Sequence, residues 1–281
     1  MSRTLHDAVA AVRAALEVAG IEGAAGEARL IAGHAAGIAR ERVPISMDAP
    51  MSAAQCETAL RMARARAARR PLSHLLGYRD FFNHRFKVSD QVLDPRPETE
   101  TLVLAALDAP FARVLDLGTG SGAILVSLLS ARAETRGLGT DLSEAALSVA
   151  RENAQAVGVA ARCDFLLSDW FGAVEGRFDL IVSNPPYVAL HEMPMLEPEL
   201  GHEPRMALTD EGDGLVAYRA IMAGVAVHLE PGGRLLLEIG PTQAQAVTEM
   251  ARVAGLENIR VHLDLDRRDR VVSAQMPPKR D

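Results

Sequence analysis

VLDLGTGSGA, residues 114–123, is an apolar strand run that ends in glycines at alternate positions, Gly118, Gly120 and Gly122, and opens onto a helix. Glycines at this spacing let a chain turn sharply from strand to helix and let its backbone come close to a ligand. Four more apolar runs follow, GLGTD (137–141), CDFLLSD (163–169), FDLIVSN (178–184) and GGRLLLEIG (232–240), each leading into a helix or a loop. This alternation predicts an α/β domain built on a mostly parallel sheet. Two terminal runs, NIRVHLDL (258–265) and RVVSAQM (270–276), are joined by the charged turn DRRD. They predict a hairpin at the sheet edge, which makes the sheet seven-stranded.

Upstream, the texture differs. From about residue 4 to 76 the pattern predicts helices only: Leu5, Val9, Val12 and Leu16 recur at helical spacing, as do Ala28, Ile31 and Ala35. A third helix from about Ala53 to Arg70 carries Arg61, Arg64, Arg66, Arg69 and Arg70, read as a solvated face rather than a surface for an acidic partner or ribosomal RNA. FFNHRFKV (81–88) predicts a hairpin that turns at Asn83-His84. DPRPETE (94–100) is a proline-set turn into the next helix, where Glu98 and Glu100 either orient a substrate loop or cap the helix. The expected division is a helical domain over residues 1–77, a β-hairpin linker over 78–95 and an α/β domain over 96–281.

Composition narrows the function. Hydrophobic residues at 48% and charged residues at 24% of 281 are globular values that allow a sizeable core. A net charge of −7 argues against a protein that lives on bare nucleic acid. The two cysteines, Cys56 and Cys163, lie far apart, which fits a reducing cytoplasm and not a disulfide framework. The N-terminal stretch lacks signal-peptide features, and no apolar run approaches the ~18 residues that suggest a membrane span. The histidines, with His191 and His202 in expected surface loops, show no metal-ligand spacing, so no metal is expected. No apolar heptad suggests self-association, and a cytoplasmic monomer is the expectation.

Ligands of open α/β sheets sit at the carboxyl ends of the strands, where the unusual residues of this chain fall. The loop Gly118-Thr119-Gly120-Ser121-Gly122 has the spacing G-x-G-x-G, not the dinucleotide fingerprint G-x-G-x-x-G that seats a pyrophosphate. It suits a ligand without phosphate. Asp141, about 20 residues on, is placed to accept hydrogen bonds from ribose hydroxyls, or else to cap the following helix. Asp169 can bond an adenine amino group beside the flat face of Trp170, whose alternative is a place in the core. Asn184-Pro185-Pro186-Tyr187 closes the fourth run, and its two prolines hold the chain rigid with carbonyls free to face a substrate. An ordinary strand-ending turn is the other reading.

G-x-G-x-G followed by Asn-Pro-Pro-Tyr resembles the class I, Rossmann-like S-adenosylmethionine methyltransferases that act on planar nitrogens. Further stretches sharpen the resemblance: PRPETE (95–100), SDWF (168–171), EPRMAL (203–208), GDGL (212–215) and LEIG (237–240). With the helical N-terminal region, these resemble the peptide chain release factor N5-glutamine methyltransferase family (the PrmC/HemK type) over nearly the whole chain. The resemblance implies S-adenosyl-L-methionine as cofactor, bound by the Gly118–Gly122 loop, Asp141, Asp169, Trp170 and Asn184. It implies that Asn184, Pro185, Pro186 and Tyr187, with Arg96 and Pro97, bind the substrate, and that Asn184, Pro185 and Tyr187 are catalytic. The implied partner is a class-1 release factor, held by the N-terminal helices, with no direct contact to nucleic acid and none to membrane. Ribosomal-protein glutamine methylation and adenine or cytosine amino methylation are the alternatives. The stretches Ala189–His202 and Leu208–Gly212 depart from the family's usual form, on the substrate side of the site.

Overall fold

Apolar runs without alternation need cover on both faces, and in this protein they receive it. A computed structural model describes residues 3–279, so the outer ends of the expected domains, residues 1–2 and 280–281, lie outside the described residues. Over the described residues there are two compact units, Met1–Gly77 with Glu197–His202, and Tyr78–Leu196 with Glu203–Asp281.

The first unit contains β1 (Arg3–Thr4), α1 (Leu5–Val18), α2 (Ala24–Ala36), β2 (Pro50–Met51), α3 (Ala53–Ala67) and α4 (Leu72–Leu76). Val12, Leu16, Ala28, Ile31, Ala59 and Ala63 form the core where α1, α2 and α3 meet. Capping boxes start α1 at Thr4 with Asp7 and α3 at Ser52 with Gln55. They also explain why the helices-only expectation fails. Both N-caps are held extended, and the residues beside them, Arg3–Thr4 and Pro50–Met51, pair as a short antiparallel ladder. The arginine-rich face needs a second correction. Arg61, Arg64 and Arg70 are exposed, but Arg66 is only 8% exposed. Its guanidinium meets Glu27 at 2.7 Å and Glu199 at 2.8 Å, partners remote in sequence that helical spacing does not reveal.

The second unit opens with the hairpin β3 (Tyr78–Phe81) and β4 (His84–Lys87). Phe81 pairs with His84, so the turn falls on Phe82-Asn83, one residue before the expected Asn83-His84, with Phe82 at φ 44°. Phe81 and Phe86 lie on the buried face of the hairpin and pack edge to face at 6.0 Å. After a 3-10 turn over Pro97–Thr99 come α5 (Glu100–Leu107), β5 (Arg113–Leu117), α6 (Ala123–Ala131), β6 (Arg136–Asp141), α7 (Glu144–Val157) and β7 (Cys163–Leu167). The chain then crosses back through β8 (Phe178–Ser183), α8 (Arg205–Leu208), α9 (Val216–His228), β9 (Leu229–Glu238), α10 (Ala244–Val253), β10 (Glu257–Leu263) and β11 (Asp269–Gln275).

The sheet order is β10-β11-β9-β8-β5-β6-β7. Its five strands from β7 to β9 are parallel, and β10 and β11 add the antiparallel hairpin at one edge. One face packs against α5 and α6 through Leu102, Val103, Leu125 and Leu128, the other against α9 and α10 through Ile221, Val225, Val247 and Ala251. The chain runs outward from β5 to β7 and then returns to β8 on the other side of β5. That reversal opens a crevice at the carboxyl ends of β5 and β8.

Asn153 on α7, 1% exposed, ties the hairpin to this crevice. Its Oδ1 accepts the Lys87 N–H at 2.7 Å, and its Nδ2 donates to the carbonyls of Lys87 (3.0 Å) and Ser121 (2.8 Å). Replacing Asn153 with Ala strands buried backbone groups, each worth about 1–3 kcal/mol. A urea titration is expected to show a loss of about 2–3 kcal/mol for Asn153→Ala; an unchanged midpoint would contradict this role.

Candidate active site

Strands β5 and β8 end level with each other, Leu117 beside Ser183, and the Ser183 hydroxyl donates to the Leu117 carbonyl at 2.6 Å. The glycine loop and Asn-Pro-Pro-Tyr therefore leave the sheet side by side. In the loop Gly118, Gly120 and Gly122 take φ of 69°, 54° and 78°, a left-handed path that a side chain would strain.

These loops border a cavity of about 690 Å³, within the range of small-molecule sites. Gly118, Thr119, Gly120, Ser121, Asp141, Asp169, Trp170, Asn184, Pro186 and Arg96 line it; Gly122, Pro97, Pro185 and Tyr187 do not. In the extended stretch after β8, successive residues face opposite ways, so Asn184 and Pro186 face the cavity while Pro185 and Tyr187 face away. The Tyr187 carbonyl accepts from Gln243 Nε2 at 2.9 Å, and burial pushes the Tyr187 phenol up to about 12.

Asp141 accepts the Gly120 N–H on Oδ2 and the Ser143 N–H on Oδ1, both at 2.9 Å. Ser143, not Asp141, caps α7, which removes the helix-cap reading of this aspartate. Each carboxylate oxygen keeps a lone pair for a further donor such as a ribose hydroxyl. Burial holds the Asp141 carboxyl above its usual range. Asp116 lies deeper. It is fully buried, accepts the Thr119 hydroxyl at 2.7 Å, and burial, reinforced by the nearby Asp141 charge, pushes it up to about 7. Trp170, half-buried at φ 46°, lines the cavity and packs on the core behind it, so the cavity and core readings both describe it. Ser168 pins that turn, donating to the Trp170 carbonyl at 2.9 Å.

The segment after Leu196 contributes residues that sequence reasoning did not assign to the site. Pro204, Arg205, Met206 and Ala207 line the cavity, as do Thr209, Asp210 and Glu211. Buried Glu203 anchors this segment to the proline-set turn, accepting the Asp94 N–H at 3.3 Å and pairing with Arg96. EPRMAL (203–208) was the signal available in the sequence; its partners lie more than a hundred residues earlier. Asp210 shapes the next turn, accepting from the N–H groups of Gly212 (2.8 Å), Gly214 (3.1 Å) and Val216 (2.7 Å). Thr99 also lines the cavity and accepts from Asn184 Nδ2 at 3.3 Å. Glu100 stands in the first turn of α5, where an acid is favoured, and its carboxylate also accepts the Phe82 N–H at 2.8 Å, tying the hairpin to α5.

The charge of the lining is net acidic. Its two arginines, Arg96 and Arg205, are paired with Glu203 and Glu211, and Asp90, Asp94, Asp141, Asp169 and Asp210 line it beside apolar Val92, Ile124 and Ala146. No lysine lines it. That lining disfavours a phosphate and fits a cationic nucleoside such as S-adenosylmethionine. Among the described residues there is no group of three His, Cys, Asp or Glu that could hold a metal, and no helix long and apolar enough to cross a membrane.

Residues 88–224 match the methyltransferase small domain and residues 7–77 the PrmC N-terminal domain. A release factor glutamine methyltransferase from Cereibacter sphaeroides is 52% identical, over 96% of this chain and 98% of that protein. The chain belongs to the release factor glutamine methyltransferase family. Members from Caulobacter vibrioides (42% identical, 97% of this chain, 96% of the relative) and Moorella thermoacetica (38%, 95% and 96%) match over similar spans. Among solved structures, the hMettl16 catalytic domain has a TM-score of 0.60 at 16% identity, covering 78% of this chain and 83% of its own. A Pyrococcus furiosus methyltransferase has 0.52 at 18%, covering 68% and 88%. These two share the fold.

Because the folded chain holds the Asp116 proton more tightly than the unfolded one, the stability Asp116 contributes is greatest below its ordinary 3.8 and is lost as pH rises to about 7. Asp116→Asn is therefore expected to gain stability relative to the parent across that window and to hold a constant advantage above it. Urea midpoints at pH 4.5, 6 and 8 test this; a difference independent of pH would contradict it.

Proposed function

We propose that the chain transfers a methyl group from S-adenosyl-L-methionine to the side-chain amide nitrogen (N5) of the glutamine in the Gly-Gly-Gln motif of class-1 release factors, and so modulates translation termination. One observation carries the reading: Asn184 and Pro186 of Asn-Pro-Pro-Tyr face the same acidic cavity as the glycine loop. Family membership supplies the substrate class. Residues 1–77 are assigned to release-factor binding, 78–95 to a hairpin linker and 96–281 to methyl transfer, in a cytoplasmic monomer that needs no direct contact with nucleic acid.

Gly118–Gly122, Asp141, Asp169, Trp170 and Asn184 hold the cofactor, and Arg96 and Pro97 help to seat the substrate loop. When bound, S-adenosylmethionine supplies an electrophilic methyl group on a sulfonium. The chain's own task is to make a poor nucleophile competent. An amide lone pair is delocalised into its carbonyl. Asn184 Oδ1 and the Pro185 carbonyl accept the two amide hydrogens, draw the nitrogen toward tetrahedral character and aim its lone pair. Positioning of this kind is worth up to about 7–11 kcal/mol in well-oriented systems. Tyr187, neutral at any working pH and anchored through Gln243, braces the turn that carries both acceptors.

Transfer of labelled methyl to a purified, unmethylated class-1 release factor, with a Gln→Ala control in its Gly-Gly-Gln motif, tests the assignment. Label that disappears in the control supports it. Label only on a ribosomal protein or a nucleic acid would replace the substrate and leave the site chemistry standing. Asn184→Ala is expected to lose on the order of a hundredfold or more in kcat while keeping most of its S-adenosylhomocysteine affinity; near-normal turnover would sink the role given to Asn184.

A further inference from the structure

Thr99 stands at the N-cap of α5, where a threonine hydroxyl ordinarily accepts a backbone N–H of the first turn. Here it makes no such bond. The residue is 4% exposed, so its hydroxyl has been taken out of water for some other partner. That partner is Asn184, whose Nδ2 donates to Thr99 Oγ1 at 3.3 Å. A hydroxyl that accepts this bond still has its own hydrogen to place, and the buried carboxyl of Glu238 is the acceptor near it, with one oxygen, Oε2, that no other group among the described residues bonds.

Glu238 is the last residue of β9, 1% exposed, and the β8–β9 register sets it beside Asn184 by pairing Ser183 with Leu237. The groups around it are Arg270 from β11, Arg96 and Glu98 from the proline-set turn, Tyr187 after β8 and Tyr218 from α9. An acidic side chain buried at the back of the site, reached through a threonine, would favour one orientation of the Asn184 amide. An asparagine amide turned by half a revolution would present an N–H to the cavity and repel the hydrogens of a substrate amide. Nothing else described about the asparagine fixes which way it faces.

We propose that Thr99 is a positioning residue of methyl transfer: by accepting from Asn184 Nδ2 and donating to Glu238 it holds Asn184 Oδ1 toward the cavity, where the substrate amide is received. This rests on the reading of Asn184 given above. The relay makes the threonine of the proline-set turn part of the acceptor's geometry without its touching the reacting atoms.

The test compares the full-length chain with Thr99→Val, Thr99→Ala, Thr99→Ser and Asn184→Ala, measuring kcat and KM for the release factor and Kd for S-adenosylhomocysteine. Val and Ala remove the hydroxyl and are expected to lose on the order of tenfold or more in kcat, with Kd changed by no more than about twofold. Ala only deletes atoms, so it keeps the comparison decisive if the valine methyl does not fit. Ser restores the hydroxyl and is expected to return kcat to within about threefold of the parent. Parental kcat in Thr99→Val or Thr99→Ala, or a Thr99→Ser as slow as Thr99→Val, overturns the relay. Parental kcat in Asn184→Ala overturns the reading of the site and the relay with it; a slow Asn184→Ala beside an unaffected Thr99→Val overturns the relay alone.

Discussion

At the carboxyl end of β5 the chain gives up its ladder with the Leu117 carbonyl, and the Ser183 hydroxyl of β8 takes that carbonyl at 2.6 Å with no solvent near. The contact is small, but the site is built outward from it. Because β5 and β8 are parallel neighbours, the glycine loop and Asn-Pro-Pro-Tyr emerge together on one edge of the sheet. Because the chain reverses direction between these strands, no crossover helix covers the crevice they leave. At the opposite end of the pair, Asp179 accepts the Ala112 and Arg113 N–H groups at 3.0 and 2.8 Å, so β5 is fixed at both ends against β8.

Loops hold the functional groups, and buried polar side chains hold the loops. Asn153 grips the carbonyl of Ser121, Asp141 the N–H of Gly120, Asp210 the turn before α9, and Gln243 the carbonyl of Tyr187. Each makes two or more bonds, and most tie segments far apart in sequence. A site on such loops is rigid because its backbone groups have no better partner in any displaced arrangement. The cost is electrostatic. Asp116 and Glu238 are both fully enclosed, and burial pushes each up to about 7, so the strand ends carry carboxyl groups that the core alone would reject. Neither of these two carboxyls lines the cavity, whose acidic lining comes mostly from exposed and half-buried aspartates around it.

The parts of this protein legible in its sequence are those whose cause is local. Strand runs, the glycine spacing and the double proline each impose a backbone path on their own, and the parallel sheet with its antiparallel edge follows from them. Misreadings occur where a distant partner outweighs a local preference. Asn83-His84 is a fair turn by composition, yet the chain turns at Phe82-Asn83, pairing Phe81 with His84. Arg66 looks like one more surface arginine until Glu27 and Glu199, 39 and 133 residues away, enclose it. Thr99 and Glu203 do their work across 85 and more than a hundred residues, a distance that periodicity does not span. The alternation that turns Pro185 and Tyr187 away from the cavity depends on the extended path after β8, which four residue names do not specify.

Cofactor and substrate amide are proposed to meet between the ends of β5 and β8. A crystal structure of the full chain with S-adenosylhomocysteine and a glutamine-bearing release factor tests it most directly. The homocysteine is expected against the Gly118–Gly122 loop, the ribose on Asp141, and the substrate amide nitrogen within hydrogen-bond reach of Asn184 Oδ1. A cofactor bound outside this cavity, or an amide turned away from Asn184 in the closed complex, would contradict it.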